Sequence, residues 1–433
     1  MNIMSEAIKH IGDRYEENGA LAEFRSEAWG RFQQWGLPPV KHEEWRYTRI
    51  SGLFRDDLTY PLSGTSVQLS DLGPYLLPDH AEATSLVFVN GVFSPDLSVV
   101  NHAPGLLFVL PLKDAAVHPD HADQVKASLG QSASYHPDGI QALNSAFADH
   151  GLFMHVRPQQ DLDRPIYIYH ISDARASFTL SQPRTLVHVG KGASVHIATT
   201  YVTLGHESLT NEVIEIAAEE GSIVNYYKIQ DEGPKANHVG TTSIRQLGKC
   251  LTNAVTISLS GGLVRNNLDM IMGADHGESH MYGLSLLEGH THVDNHTIVD
   301  NVMPNCLSNE LYKGIFDGHS SGVFNGKIFV RQDAQKTNAY QSNKNMLLGE
   351  HASVNAKPQL EILADDVKCS HGCTVGRPDD EALFYLRSRG ISEKSARSLL
   401  LHAYAVDILD NIKPAALRAH VDALISERLE FNF

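Results

Sequence analysis

Two cysteines and a histidine alternate along one short stretch, KCSHGCTVG, which runs from Lys368 to Gly376. Cys369, His371 and Cys373 occupy every second position, so in an extended strand their side chains share one face at steps of about 6.6 Å. Thiolate and imidazole bind zinc and iron–sulfur species, and an imidazole can also activate a nearby thiol. The stretch is therefore the first candidate for chemistry in this chain.

The spacing of this motif leaves four interpretations open. A structural zinc site needs its ligands within about 2.0 to 2.3 Å of one ion, which requires a sharp bend at Gly372 and at least one distant ligand. A Cys–His nucleophile has no evident oxyanion donor or third orienting residue here. A buried cysteine beside a hydrogen-bonded histidine would have no chemical role. An open half-site would hold iron or sulfide species only in passing, because its ligand set is incomplete.

The residues before the motif predict a repetitive β structure. From about residue 85, short β-branched runs alternate with Gly, Asn and Asp, and segments recur every 27 to 30 residues. One recurring series is Ala254, Met281, Leu311 and Ala339, with Tyr282, Tyr312 and Tyr340 following the last three; a second is Asn267, Asn295, Asn325 and Asn355. Such a repeat buries its apolar face only by stacking, which predicts a β-solenoid with two strands per coil and stacked side-chain ladders. The alternative is a β-sandwich with accidental spacing.

Three histidines and two further cysteines are weaker candidates. Each of the histidines closely follows a bend glycine, so they are expected to form a column across coils; a metal role competes there with the ordinary preference of polar residues for turns. These histidines are His290, His319 and His351. Cys250 and Cys306 have no ligand-like neighbours in sequence and are predicted to be core thiols.

Helices are predicted at both ends of the chain. An apolar stripe containing Ile8 and Ile11 follows Ser5 as N-cap, a second stripe ends at Gly36, and HEEWRYT (42–48) is expected to pack this region onto the next part of the chain. After the motif, the predicted helices begin near Pro378, Ser392 and Pro414, and the middle one is so apolar that it must be buried or covered by a partner. The predicted domains are a helical region 1–80, a β-helix core 81–375 and a helical region 376–433.

The composition limits the classes of partner and compartment. The chain has 433 residues, 42% of them hydrophobic, and a formal charge of −16, which argues against nucleic acid and anionic membranes. Four cysteines are too few for a disulfide framework. The N-terminal residues lack the apolar core of a signal peptide, and the run LLFVLPL from Leu106 is far too short to span a bilayer. We expect a cytoplasmic protein that does not enter membranes.

The run from Lys357 to Ile391, KPQLEILADDVKCSHGCTVGRPDDEALFYLRSRGI, resembles the C-terminal signature of the SufB/SufD family, on the SufD side, which assembles iron–sulfur clusters in the SUF system. HEEWRYT, VFNGKIFV and QSNKNMLLG are similar as well, so the resemblance spans nearly the whole chain. It implies a mainly β fold, a right-handed parallel β-helix flanked by N-terminal and C-terminal helical regions.

The resemblance also implies a non-catalytic scaffold subunit. It would pair with a SufB-like paralogue through the end of the β-helix and dock a SufC-like ATPase through the C-terminal helices. This chain has no G-x-x-x-x-G-K-[ST] phosphate loop of its own. Cys369 and His371 would contact iron or a transient iron–sulfur cluster at the SufB interface, with no stably bound cofactor in the isolated chain. Cys373 stands where a small residue is expected, so its role stays open.

Two enzyme classes remain as alternatives, and one expectation concerns oligomeric state. A β-helix polysaccharide lyase would use the same architecture, although such enzymes are normally secreted. A zinc-dependent hydrolase would use Cys369, His371 and a distant third ligand and would hold one zinc ion tightly. The end coil of a solenoid exposes unpaired strand edges, so the isolated chain is expected to form a homodimer through the coils nearest the motif.

Overall fold

The computed structural model describes residues 6–62 and 67–431; the predicted N-cap Ser5 lies outside them. The N-terminal half contains these helices: α1 (Glu6–Gly12), α2 (Ala22–Trp35), α3 (Leu69–Leu72), α4 (Leu112–Ala115), α5 (Ala122–Ser128) and α6 (Gly139–Ala146). Helix α2 ends where Gly36 adopts a φ of 63°, as its position after the apolar stripe predicts. Helices α4 to α6 lie within the range expected to be β-helix, between strands of one sheet.

The strands before residue 220 are β1 (Leu58–Thr59), β2 (Thr84–Val89), β3 (Val92–Phe93), β4 (Leu107–Pro111), β5 (Leu152–Val156), β6 (Ile166–Ala174), β7 (Phe178–Ser181), β8 (Arg184–Val189), β9 (Ser194–Gly205) and β10 (Ser208–Ala218). Those after it are β11 (Ile223–Asp231), β12 (Ala236–Gln246), β13 (Leu251–Ser260), β14 (Leu263–Met272), β15 (Glu278–Leu287), β16 (His292–Asn301), β17 (Leu307–Phe316), β18 (Ser321–Val330), β19 (Asn338–Leu347), β20 (Ser353–Ile362) and β21 (Lys368–Gly376).

Successive strands from β8 onward alternate between two sheets. The first sheet has the order β20-β18-β16-β14-β12-β10-β8-β5-β4, and the second has the order β21-β19-β17-β15-β13-β11-β9-β6-β2-β3. From β8 onward, each strand pairs in parallel with the strand two places further along the chain. This is a β-solenoid of about 8 turns. The predicted fold class is confirmed, and the sandwich alternative is wrong.

The predicted register of the coils is correct at one step and wrong at the next ones. Ala254 pairs with Met281 as predicted, but Met281 pairs with Glu310 rather than with Leu311. The column that starts at Ala254 has steps of 27, 29, 31 and 30 residues and consists of Ala254, Met281, Glu310, Gln341 and His371. The predicted steps of 27, 30 and 28 residues therefore misplace the later coils, because the bends differ in length.

The predicted ladders of like residues do not form in that register. Tyr312 pairs with Gly283 instead of Tyr282, and Tyr340 pairs with Asn309. In the first sheet Asn267 pairs with His296 rather than with Asn295. A slip of one residue turns a side chain to the opposite face of a strand, so these tyrosines and asparagines face different surroundings.

The N-terminal segment HEEWRYT packs against the outer face of the first sheet, as predicted. Trp45 is buried, and the guanidinium carbon of Arg265 lies 3.9 Å from the centroid of its ring. Arg265 also pairs with Asp294 at 2.9 Å, and Lys327 donates to Glu44 at 2.6 Å. Buried charges are tolerated when they are paired in this way, so the contacts fix the N-terminal region on β14, β16 and β18.

Three helices follow the solenoid: α7 (Asp380–Ser388), α8 (Glu393–Leu409) and α9 (Ala415–Phe431). Their starts follow the predicted signals, since Asp379 accepts a hydrogen bond from the backbone of Glu381 and Ser392 accepts one from Ser395. Of the helices in the described part of the chain, none is both long enough and apolar enough to cross a bilayer.

The middle helix α8 is buried against the outer face of the second sheet. Leu401 and Ala405 are buried there with sheet residues such as Ile315. Lys313 of β17 pairs with Asp407 of α8 at 2.6 Å, and its ammonium lies 4.6 Å from the ring centroid of Tyr404. One apolar face of α8 is therefore covered by the second sheet of the same chain.

Candidate functional site

The three motif side chains lie on the last strand of the second sheet. Strand β21 pairs with β19 in parallel, with Cys369 opposite Ala339, His371 opposite Gln341 and Cys373 opposite Asn343. Ala339 belongs to the interior cluster, and the three motif residues share its parity. The prediction that they share one face is confirmed, and that face continues the interior of the solenoid.

The two motif thiols differ in exposure. Cys369 is partly buried against the interior cluster, and burial raises the pKa of its thiol although a hydrogen bond with the Ala339 backbone opposes this. Cys373 is exposed, and its Sγ lies 3.6 Å from Oδ1 of Asn343. Burial raises the pKa of this thiol as well. Both are protonated at neutral pH, so metal binding at either requires the release of a proton.

The described part of the chain does not supply the further ligand that a closed zinc site needs. His371 is exposed on β21, between the two cysteines. Within residues 6–62 and 67–431, no group of three His, Cys, Asp or Glu side chains is placed to hold one metal ion. The zinc hydrolase and the structural zinc site both depend on such a group. The geometry present is an open row of three side chains on one strand.

The coil that carries the motif ends both sheets. Strand β20 is the terminal strand of the first sheet and β21 that of the second. Three apolar residues on or beside these strands are strongly exposed: Ile362 at 40%, Leu363 at 64% and Val375 at 51%. Unpaired strand edges and clustered apolar side chains are features of surfaces that another chain covers.

The residues beneath His371 were not singled out by sequence. In the correct register Gln341 and then Glu310 lie below it, one coil apart, and both are buried. The signal in the sequence is the two-residue alternation of β17, in which Ser308, Glu310 and Tyr312 are buried positions. A carboxylate therefore occupies one of the inward positions. The alternation identifies Glu310 only once the coils are aligned correctly.

The other candidates have mixed outcomes. The predicted histidine column exists: the rings of His290 and His319 are 4.9 Å apart with planes at 13°, and those of His319 and His351 are 4.6 Å apart at 11°. Cys250 and Cys306 are buried, and burial raises the pKa of the first thiol to about 12 and of the second to about 11. Both are core thiols, as predicted.

The C-terminal helices form a second candidate surface. A groove of about 640 Å³ runs between α8 and α9 and is lined by polar and apolar side chains, among them Ser395, Leu399, His402, Asp422 and Leu429. Leu399 is 53% exposed at this groove. On α7, Phe384 is 73% and Tyr385 57% exposed. Aromatic side chains this exposed mark a surface suited to a protein partner.

The fold and the site together define a class of protein: a parallel β-solenoid whose last coil presents thiol and imidazole side chains at an open end. Comparison of the sequence with known families agrees. Residues 170–404 match the family described as SUF system FeS cluster assembly, SufBD core domain. Residues 8–168 match the SufBD protein N-terminal region. The chain belongs to the SufBD family.

Individual relatives span most of the chain. It is 32% identical over 404 residues to an iron–sulfur cluster assembly SufBD family protein of Synechocystis sp., covering 90% of this chain and 87% of that protein. It is 29% identical over 404 residues to the iron–sulfur cluster assembly protein SufD of Escherichia coli, covering 91% and 90%. It is 27% identical over 391 residues to the chloroplastic protein ABCI7 of Arabidopsis thaliana, covering 88% and 80%. The chain is thus an iron–sulfur cluster assembly protein of the SufBD type.

Proposed function

We propose that this protein is the SufD-type subunit of a cytoplasmic assembly complex and that its end coil forms one half of a cluster-building site. A SufB-like paralogue covers the open edges of β20 and β21, and Cys369 and His371 contact iron or a nascent cluster between the two chains. The observation that carries the proposal is the row of thiol and imidazole side chains on β21, which faces inward on a coil that no further strand of the described chain covers.

The half-site does not need to be a catalyst. A thiol and an imidazole on one chain leave coordination positions for ligands from another, so a cluster is held only while both chains are present. When the paralogue is absent, the same edges pair with a second copy of this chain to give a homodimer. Light scattering tests this point, because a strict monomer would contradict it.

Replacement of His371 tests the ligand assignment. In a complex reconstituted with SufB-like and SufC-like partners, His371→Ala is expected to lower the iron and sulfide bound by about tenfold or more, because a ligand is lost. The matched control is Ser370→Ala, one residue away on the outer face of the same strand. Equal cluster formation in the His371→Ala complex would refute the assignment, and Cys373→Ser in the same assay settles the role of the third side chain.

A second part of the proposal concerns the ATPase. We propose that a SufC-like subunit docks on α7 and the groove between α8 and α9, because Phe384, Tyr385 and Leu399 are exposed there while the opposite face of α8 is buried on the sheet. Hydrolysis of ATP belongs to that subunit, and this chain transmits its binding to the solenoid through contacts such as Lys313 with Asp407.

The docking surface is tested by changing its aromatic residues. The double variant Phe384→Ser, Tyr385→Ser is expected to weaken binding of the ATPase subunit by about tenfold or more, since exposed aromatic side chains dominate many interfaces. Val117→Ser is the control, because Val117 is 68% exposed and lies far from α7 in sequence, on the N-terminal part. Unchanged affinity of the double variant, measured by calorimetry, would place the ATPase elsewhere.

A further inference from the structure

Two buried polar side chains lie in line beneath His371. Gln341 on β19 is the strand partner of His371, and Glu310 on β17 is the partner of Gln341. Each is only 3% exposed. The rest of the column is apolar, since Met281 and Ala254 continue it and are fully buried. Within this column, followed from Ala254 to His371, the carboxylate and the amide thus occupy the two positions next to the motif.

The amide of Gln341 is held in a fixed orientation. Its Nε2 donates to Oε2 of Glu310 at 2.7 Å. The opposite sheet makes room for it with a glycine: a Cβ on Gly326 would lie 2.4 Å from that Nε2 and 2.7 Å from the ring of Phe324. Because the nitrogen is directed to Glu310, the carbonyl oxygen is left for a donor elsewhere.

The carbonyl oxygen of Gln341 is the atom of this hydrogen-bonded pair that is left to accept from another side chain. Among the described residues Oε1 of Gln341 is buried without a hydrogen-bond partner, and so is Oε1 of Glu310. A buried polar atom left unpaired destabilises the folded chain, so such atoms are expected to serve a purpose. The nearest coil above Gln341 carries an imidazole, which has an N–H to donate.

We infer that Gln341, held by Glu310, is a positioning residue for His371: its carbonyl accepts a hydrogen bond from one ring N–H and leaves the other ring nitrogen free to bind iron. This inference rests on the proposed role of His371. Imidazoles that bind metals commonly donate their second N–H to a carbonyl or carboxylate, which fixes the tautomer and makes the ligand a better base.

Few other titratable groups face His371 from the packed elements. On its own strand the neighbours of the same parity are Cys369 and Cys373, and beneath it β17 contributes Glu310 and Tyr312. Across the interior, the residues of β20 with inward parity are apolar: Ala356, Pro358 and Leu360. Burial raises the pKa of Glu310 to about 7, so near neutral pH this carboxyl is partly protonated and carries less than a full negative charge.

The test measures the protonation of His371 in the isolated full-length chain, with no iron and no SufB-like or SufC-like subunit present. Deuterium exchange at the imidazole C2 position, read by mass spectrometry of the peptide that contains His371, gives the midpoint pH of this one histidine. Gln341→Leu removes the acceptor and is expected to lower the midpoint by about 0.5 to 1 pH unit, because a hydrogen bond to the imidazolium is lost. Gln341→Glu keeps an acceptor and is expected to restore or raise the midpoint.

The control and the second readout separate this inference from the proposed function. Asn345→Leu removes a buried amide from the same strand, in register with Val375 rather than with a motif residue, and should leave the midpoint unchanged. A midpoint that stays the same in Gln341→Leu overturns the inference even if His371 is essential for cluster formation. A lowered midpoint with normal cluster formation in the His371→Ala complex supports the positioning role and refutes the proposed ligand role instead.

Discussion

Glu212→Gln is expected to lower the free energy of unfolding by about 3 to 5 kcal/mol, because it leaves a buried ammonium without its counter-charge. Glu212 lies inside the solenoid on β10 and accepts from Lys228 at 2.8 Å and from the hydroxyl of Tyr201 at 2.8 Å. His170 lies 2.9 Å from the same carboxylate. The side chains of Glu212, Lys228 and His170 are at most 3% exposed.

The charge state of this group is set by its neighbours. Burial alone would raise the pKa of the Glu212 carboxyl, but Lys228, His170 and His238 together hold it well below its usual range. Its folded-state pKa is therefore lower than the unfolded one. The stabilising contribution is present above the ordinary value of 4.5 and is lost as the pH falls through the folded value.

A double variant separates the lost charge pair from lost packing. Chemical denaturation at pH 7 is measured for Glu212→Gln, Lys228→Met and the two combined. Since the combination removes both charges, it is expected to be clearly more stable than the sum of the single losses predicts. Additive losses would show that the pair contributes nothing beyond the volume and packing of the two side chains.

The second large effect is an increase in stability. The free energy of unfolding of the Glu310→Gln variant is expected to rise relative to that of the natural chain as the pH rises, by about 3 kcal/mol between pH 4 and pH 8. Burial raises the pKa of Glu310 from 4.5 to about 7, although the polar side chains of Thr297 and Gln341 oppose this shift. Glutamine keeps a similar shape and can still accept from Gln341, but it has no proton to lose.

The sign of this effect is determined by proton binding. Between pH 4.5 and 7 the folded chain keeps the proton of Glu310 while the unfolded chain releases it, so the contribution of Glu310 to the stability of the natural protein falls with rising pH. The difference between variant and natural protein isolates this residue, because Glu232, whose pKa burial also raises to about 7, is present in both. A difference that does not change with pH would show that Glu310 ionises normally in the folded protein.

Local signals in the sequence were sufficient for the ends of elements and for the motif. Asp379 and Ser392 cap helices because a short side-chain oxygen satisfies free backbone N–H groups, which requires no information from distant residues. The shared face of Cys369, His371 and Cys373 is a result of the two-residue period of any strand. The solenoid could be inferred from the repeat, because stacking is the only way for such coils to bury their apolar faces.

The pairing of coils could not be read from the sequence, because it depends on the length of each bend. The bend between β13 and β14 holds residues 261–262, whereas that between β18 and β19 holds residues 331–337. Glycine and asparagine mark where bends occur but not how many residues each one contains. An error of one residue at Glu310 and of two residues at Gln341 was enough to hide both side chains beneath His371.

The strand order also determines the order in which the coils of the solenoid can fold. From β8 onward, the partner of each strand on its N-terminal side has already been synthesised when that strand leaves the ribosome, so coils can be added one by one in the order of translation. Strand β21 pairs with β19 and is therefore the last strand to be added to the solenoid. A chain truncated or stalled before residue 368 presents no cysteine–histidine row, so the proposed half-site exists only in a finished solenoid.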